Sequence, residues 1–257
     1  MPGNSNIVQT NRDKRLLQAV AQGRVIDREQ AKAVAGFGST TRVNARLLQL
    51  VRAGLLKRFF MGTRAGGTKA LYALSRKGAG VAEVPGRLVQ RKNGALLVGD
   101  QFVQHQLALN AIWIQAKFRL IPLPKVQFIR WLAFPSPLSK RIPLIPDGYF
   151  ELKSGAGIQS IFCEVDLGTE SLKVWGKKIA LYIQLAATGE FEQLFKNNRF
   201  RVLVAVSSER RLESIRSAVR KHTDKLFWFA TLNNINEQGL FAPIWRRPEG
   251  NEHGLLS

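Results

Sequence analysis

The stretch IFCEVDLGTES, Ile161 to Ser171, sets Glu164, Asp166 and Glu170 in and just after an apolar run that reads as a buried strand. A carboxylate taken out of water needs a partner: a metal ion, a lysine or arginine, or a ligand. Side chains two apart on a strand share a face, so Glu164 and Asp166 look the same way. Upstream, Asp147 opens the run DGYFEL. Downstream, SLKVWGKKIALYIQLAAT carries Lys173, Lys177 and Lys178, with Tyr182 one helical turn beyond Lys178. Two chemistries fit this set. Asp147, Glu164 and Asp166 could bind a hard divalent cation, Mg²⁺ or Mn²⁺, through oxygen. Alternatively Lys177 or Lys178 neutralises Glu164 or Asp166 between sheet and helix, and a metal adds nothing.

The elements that must hold these residues follow from apolar periodicity. DQFVQHQLALNAIWIQAKF, residues 100–118, reads as a helix. The strands KVQFIRWLAF, DGYFEL and QSIFCEVDL follow, then the helix 171–188, the strand FRVLVAVS, the helix ERRLESIRSAVRKHT and the strand KLFWFATL. The order α-β-β-β-α-β-α-β, a meander followed by crossover helices, predicts an α/β fold with a central mixed sheet over residues 93–247. His105 sits on the leading helix, either as a hydrogen-bonded core residue or as a residue lining the acidic site. Beyond Arg247 the tail has turn formers and little periodicity, which predicts disorder over 248–257.

Charge points to a partner. Lys plus Arg number 39 against 18 Asp plus Glu, a formal charge of +21, and residues 1–92 alone hold 18 basic and 4 acidic side chains. Such a surplus suits a polyanion. Within 1–92, Asn11 or Asp13 can cap a first helix that stops at Gly23, and a second runs from Asp27 to Gly36. A third, STTRVNARLLQLVRAGLL, is capped by Ser39 or Thr40 and presents Thr41, Arg42, Asn44, Arg46 and Gln49 opposite its apolar face. GLLKRFFMGTRAGGTKALYALSRKG then reads as a hairpin with a basic tip holding Arg64 and Lys69, followed by a turn. Three helices and this hairpin predict a winged helix-turn-helix that binds double-stranded DNA. Arg42, Asn44 and Arg46 would reach base edges and the wing tip would reach phosphate or minor groove.

Other chemistries are excluded. A single cysteine, Cys163, permits neither a disulfide framework nor a multi-cysteine zinc site, and suits a reducing cytoplasm. No apolar run is long enough to span a bilayer. GTRAGG and KSGAGI lack the ending of a phosphate loop.

Element order and the Asp147, Glu164, Asp166 spacing together resemble the PD-(D/E)xK nuclease-like core. That resemblance implies Mg²⁺ held by the aspartate and the next-strand acid, with a lysine two residues on that orients water and offsets charge. Asp166 occupies the lysine position here, and a carboxylate cannot supply that positive charge. Some members of the superfamily draw the lysine from the following helix, which would make Lys178 catalytic with Asp147, Glu164 and Asp166, and would place Glu170, Tyr182 and His105 along the site. Taken with the winged helix, the run EVDLGTESLKVWGKKIALY is similar to the replication-relaxation family of plasmid and mobile-element proteins. The resemblance implies DNA binding in replication, relaxation or mobilisation, beside plasmid replication or mobilisation proteins. Three functions stay open at this point: a non-cutting DNA-binding protein, a Mg²⁺-dependent endonuclease or nickase, and a winged-helix transcriptional regulator.

Overall fold

The structure is a computed structural model that describes residues 10–63, 66–84, 91–92, 95–96, 100–118 and 125–256. It divides into two compact units, Met1–Ile114 and Gln115–Ser257.

In the first unit, α1 (Asn11–Gly23) is capped by Thr10, not by Asn11 or Asp13. Asp13 stands at the third helical position, where its carboxylate accepts the Thr10 N–H at 2.8 Å while the Thr10 hydroxyl accepts the Asp13 N–H at 3.3 Å, a reciprocal capping box. A short strand β1 (Val25–Asp27) leads into α2 (Arg28–Ala35), which Asp27 caps and Gly36 ends in the left-handed region at φ 64°. Ser39 caps α3 (Thr40–Arg52). The hairpin β2 (Leu56–Gly62) and β3 (Thr68–Leu74) is the wing, and β1 adds to it in the order β1-β3-β2. Three residues are too few to show alternation, so β1 leaves no periodic signal in the sequence.

Where the sequence suggests a turn, Ser75 caps a helix α4 (Arg76–Ala82). Its glycines lower helix propensity, yet Gly78 is required, because a Cβ there would lie 2.1 Å from the Leu55 carbonyl oxygen. Two-residue strands β4 (Arg91–Lys92) and β5 (Ala95–Leu96) pair with each other. The boundary expected at 92/93 falls instead within α5 (Asp100–Phe118). Val103 and Leu107 of this helix pack with Val25, Phe59, Met61, Leu71 and Ala73. Asn110 Nδ2 donates to the carbonyls of Gly23 at 3.0 Å and Val25 at 2.7 Å. Burial on the three-stranded sheet thus draws α5 as far as Ile114 into the first unit, although the sequence assigns the whole helix to the second domain.

The second unit contains β6 (Gln127–Leu132), β7 (Gly148–Ser154), β8 (Gly157–Asp166), α6 (Leu172–Ala187), α7 (Glu190–Phe195), β9 (Phe200–Val206), α8 (Glu209–Arg220), β10 (Phe227–Thr231), α9 (Leu232–Gln238), β11 (Trp245–Arg246) and β12 (Glu252–His253). They form one seven-stranded sheet in the order β12-β11-β10-β9-β8-β7-β6. β8, β9 and β10 run parallel and the flanking pairs antiparallel, the mixed sheet the sequence predicts. Phe162 of β8 joins α6, α7 and α8 in an aromatic core. Phe162 lies 5.5 Å from the rings of Tyr182 and Phe195 and 5.2 Å from Phe200.

Residues 248–256 are ordered, against the expectation of a disordered tail. Arg247 and Gly250 close a turn, Trp245 pairs with His253, and Leu255 is fully buried. Strands this short carry no period, and the turn formers of PEGN make a hairpin instead of a free end.

Candidate functional site

The ends of β7 and β8 assemble the acidic residues. Asp147 precedes β7, and its Oδ2 accepts the Val165 N–H at 2.8 Å. Glu164 faces α6 with no exposed surface. Its Oε2 accepts from Lys178 Nζ at 2.9 Å and its Oε1 from the Tyr182 hydroxyl at 2.6 Å. Lys178 and Tyr182 are four residues apart on α6, so one helical face supplies both donors. Lys178 also donates to Glu170 Oε1 at 2.9 Å, while the other Glu170 oxygen is buried without a hydrogen-bond partner. Burial, and then the neighbouring Asp147 carboxylate, push Glu164 up to about 7 against the pull of Lys178 and Tyr182. For Lys178, burial favours the neutral amine, but Glu164 and Asp147 outweigh it and raise the pKa.

Asp166 shares the face of Glu164 yet belongs to a different network. Its Oδ2 accepts from Trp175 Nε1 at 2.6 Å and Arg211 Nη2 at 2.7 Å. Its Oδ1 accepts from the Gly168 N–H at 2.6 Å and Arg211 Nε at 3.0 Å. Burial alone would raise this carboxyl, but the donors from Arg211, Trp175 and Gly168 hold it below its ordinary range. Arg211 Nη2 also reaches the Glu170 carbonyl at 2.5 Å. Sequence reasoning singles out neither Trp175 nor Arg211. Arg211 lies in the first turn of α8, 45 residues from its partner, and only the parallel β8–β9 pairing brings that turn to the end of β8.

The three carboxylates therefore do not share one pocket. Asp147 and Glu164 are neighbours, whereas Asp166 is drawn to Trp175 and Arg211. Among the described residues no group of three or more His, Cys, Asp or Glu side chains is placed to hold a metal ion. A cation seated on Glu164 and Asp166 would have to displace Lys178, Tyr182 or Arg211. Lys177 is exposed, and Lys178 is the lysine that answers the acid. His105 is half-buried on α5 in the first unit, while every residue of the acidic network belongs to the second.

On the winged helix, Thr41, Arg42 and Asn44 are exposed along α3. Arg46 is not one of this outward set. Its Nε and Nη2 lie 2.7 and 2.5 Å from the two oxygens of Asp13, and Nη1 donates to Gln49. Asp13, spent on the capping box and almost wholly buried, needs a cation, and Arg46 ties α1 to α3 by supplying it. Lys69 is also engaged, 2.8 Å from Asp27 Oδ2. Arg64 lies outside the described residues.

The protein-family model described as replication-relaxation matches residues 17–199. The chain belongs to the replication-relaxation family. Neither the curated proteins nor the solved structures contain a match to it. In this replication-relaxation protein the matched span runs from α1 to the residue before β9. It includes Asp147, Glu164, Asp166, Glu170, Lys178 and Tyr182, and leaves out Arg211. Among the described residues no helix is long and apolar enough to cross a membrane.

Proposed function

We propose that this replication-relaxation protein binds double-stranded DNA through its winged helix during plasmid or mobile-element replication, relaxation or mobilisation. Its α/β unit then serves as a PD-(D/E)xK-like scaffold that does not cut. One observation carries the second half. Both oxygens of Glu164 are taken by Lys178 and Tyr182, and both oxygens of Asp166 by Arg211, Trp175 and Gly168, so the acids that a cutting site would offer to Mg²⁺ are spent on protein donors. Support for the first half is the charge of the first 92 residues and the exposed Thr41, Arg42 and Asn44 at the start of α3, which in this motif enters the major groove.

Arg42→Ala and Asn44→Ala are each expected to cost about 1–3 kcal/mol on a preferred sequence and to relax specificity there. Arg46→Ala should instead lower the melting temperature, because it strips Asp13 of its cation. Competition binding against randomised duplexes, beside thermal melts, separates the two. Equal losses on every sequence would make Arg42 and Asn44 phosphate contacts only.

A specific observation favours a second reading, a Mg²⁺-dependent endonuclease or nickase. Lys178 comes from the following helix to within 2.9 Å of Glu164, where a relocated catalytic lysine would stand. Melting with and without millimolar Mg²⁺ or Mn²⁺ decides. A cation that binds only the folded chain at about 100 times its dissociation constant adds about 2.7 kcal/mol. The scaffold reading expects no gain and no nicking of supercoiled plasmid. A gain abolished by Asp147→Asn with Glu164→Gln, together with nicking lost in Lys178→Ala, would establish the nuclease.

A further inference from the structure

A cleft of about 310 Å³ opens in the first unit between α3 and the wing, with Arg28, Asn44, Thr63, Thr68, Lys69 and Tyr72 on its walls. Duplex geometry says what would cross it. One sugar–phosphate strand separates the major groove from the minor groove. With α3 in the major groove and the wing against the minor, the strand between them runs through this cleft. The lining suits a phosphodiester: an amide at Asn44, hydroxyls at Thr63 and Thr68, and cations at Arg28 and Lys69.

Both cations, however, are already held by acids on the same walls. Lys69 Nζ lies 2.8 Å from Asp27 Oδ2, and Arg28 Nε lies 2.9 Å from Glu29 Oε1. The arginine pair is exposed on both sides and weakly bound, free to rearrange toward a phosphate. Asp27 is different. Its Oδ1 accepts the Gln30 N–H at 2.9 Å as the cap of α2, and its side chain is only 10% exposed, so it cannot swing away when a phosphate arrives.

We propose that Asp27 is a built-in competitor of the DNA backbone for Lys69. It weakens general phosphate binding, so that the bases met by α3 weigh more in deciding where the protein stays. This inference rests on the DNA-binding reading above.

The test uses the full chain and a duplex of random sequence, with binding measured across a salt series. Asp27→Asn keeps a good helix cap while removing the charge. It should raise affinity about two- to fivefold at about 0.1 M salt, the strength of one partly exposed pair. It should also make the log–log salt slope more negative by about 0.9, one further phosphate neutralised. Adding Lys69→Ala should erase both gains. Glu83→Gln, which releases Lys14 from an exposed pair of 2.8 Å, changes net charge equally and should leave the slope alone. If the wild-type protein binds but Asp27→Asn with an unchanged melting temperature does not bind more tightly, or Glu83→Gln gains as much, the competitor role is overturned and the DNA-binding reading stands. Absence of salt-dependent duplex binding by the wild-type protein would overturn that reading, and this inference with it.

Discussion

A Lys178→Met variant is expected to lose about 3–5 kcal/mol of stability at pH 8, because Glu164 would be left in the interior without its cation and would have to stay charged or hold a proton that the unfolded chain has released. The deficit should shrink on acidification. Glu164 titrates near 7 in the folded protein against an ordinary 4.5, so the folded chain keeps a proton that the unfolded chain has already released between those values. Stability from this group is therefore highest in acid and falls as pH rises through that window. Without Lys178 the folded pKa climbs further, which widens the window. Urea unfolding at pH 5.5 and pH 8 measures both effects. A deficit of the same size at the two pH values would mean that Lys178 acts through packing alone.

An Arg211→Ala variant should lose a comparable amount, about 3–5 kcal/mol, by stripping the buried Asp166, with the opposite dependence on pH. Asp166 is held below its ordinary 3.8, so its contribution is present above 3.8 and disappears as pH falls through the folded value. The wild-type protein should lose this contribution only below about pH 3.8, whereas in the variant that acid-side loss should vanish. Arg211→Lys should rescue only part, because an ammonium cannot make the paired Nε and Nη2 bonds. Thermal melts from pH 2.5 to pH 7 read the acid limb, and an unchanged limb in Arg211→Ala would remove Arg211 as the cause of the depressed Asp166.

The Glu164, Lys178 and Tyr182 trio was only partly legible in the sequence. A period of two along a strand put Glu164 and Asp166 on one face, and a period of four along a helix put Lys178 beside Tyr182. Neither chose between Lys177 and Lys178 or showed that this helical face meets Glu164. Asp166 shows where such periods stop. They place its side chain on the right face but say nothing of Arg211, whose position depends on how β9 pairs with β8. Arg46 shows a second limit. Helical spacing puts it beside the outward residues of α3, yet a buried acid 33 positions earlier turns its guanidinium inward. The boundary inside α5 was hidden for a similar reason, since an apolar helix does not declare which sheet it will cover. The long strands and amphipathic helices were readable, whereas β1, β11 and β12, at two or three residues, were not.

The spacing of acids and bases along the chain also bears on how the second unit folds. β7 and β8 are joined through Gly155 and Ala156, so this hairpin closes locally and quickly, and it sets Asp147, just before β7, against the Val165 N–H between Glu164 and Asp166. The cations are farther away: Lys178 is 14 residues from Glu164, and Arg211 is 45 from Asp166. Longer loops cost more entropy to close. A bare hairpin would thus present carboxylates on the face that must become dry, and that face cannot be covered until the lysine and arginine arrive. Because α6 and α8 carry both the counter-ions and the apolar cover, neutralisation and desolvation happen in one docking event, which couples the sheet to its helices in a single cooperative transition.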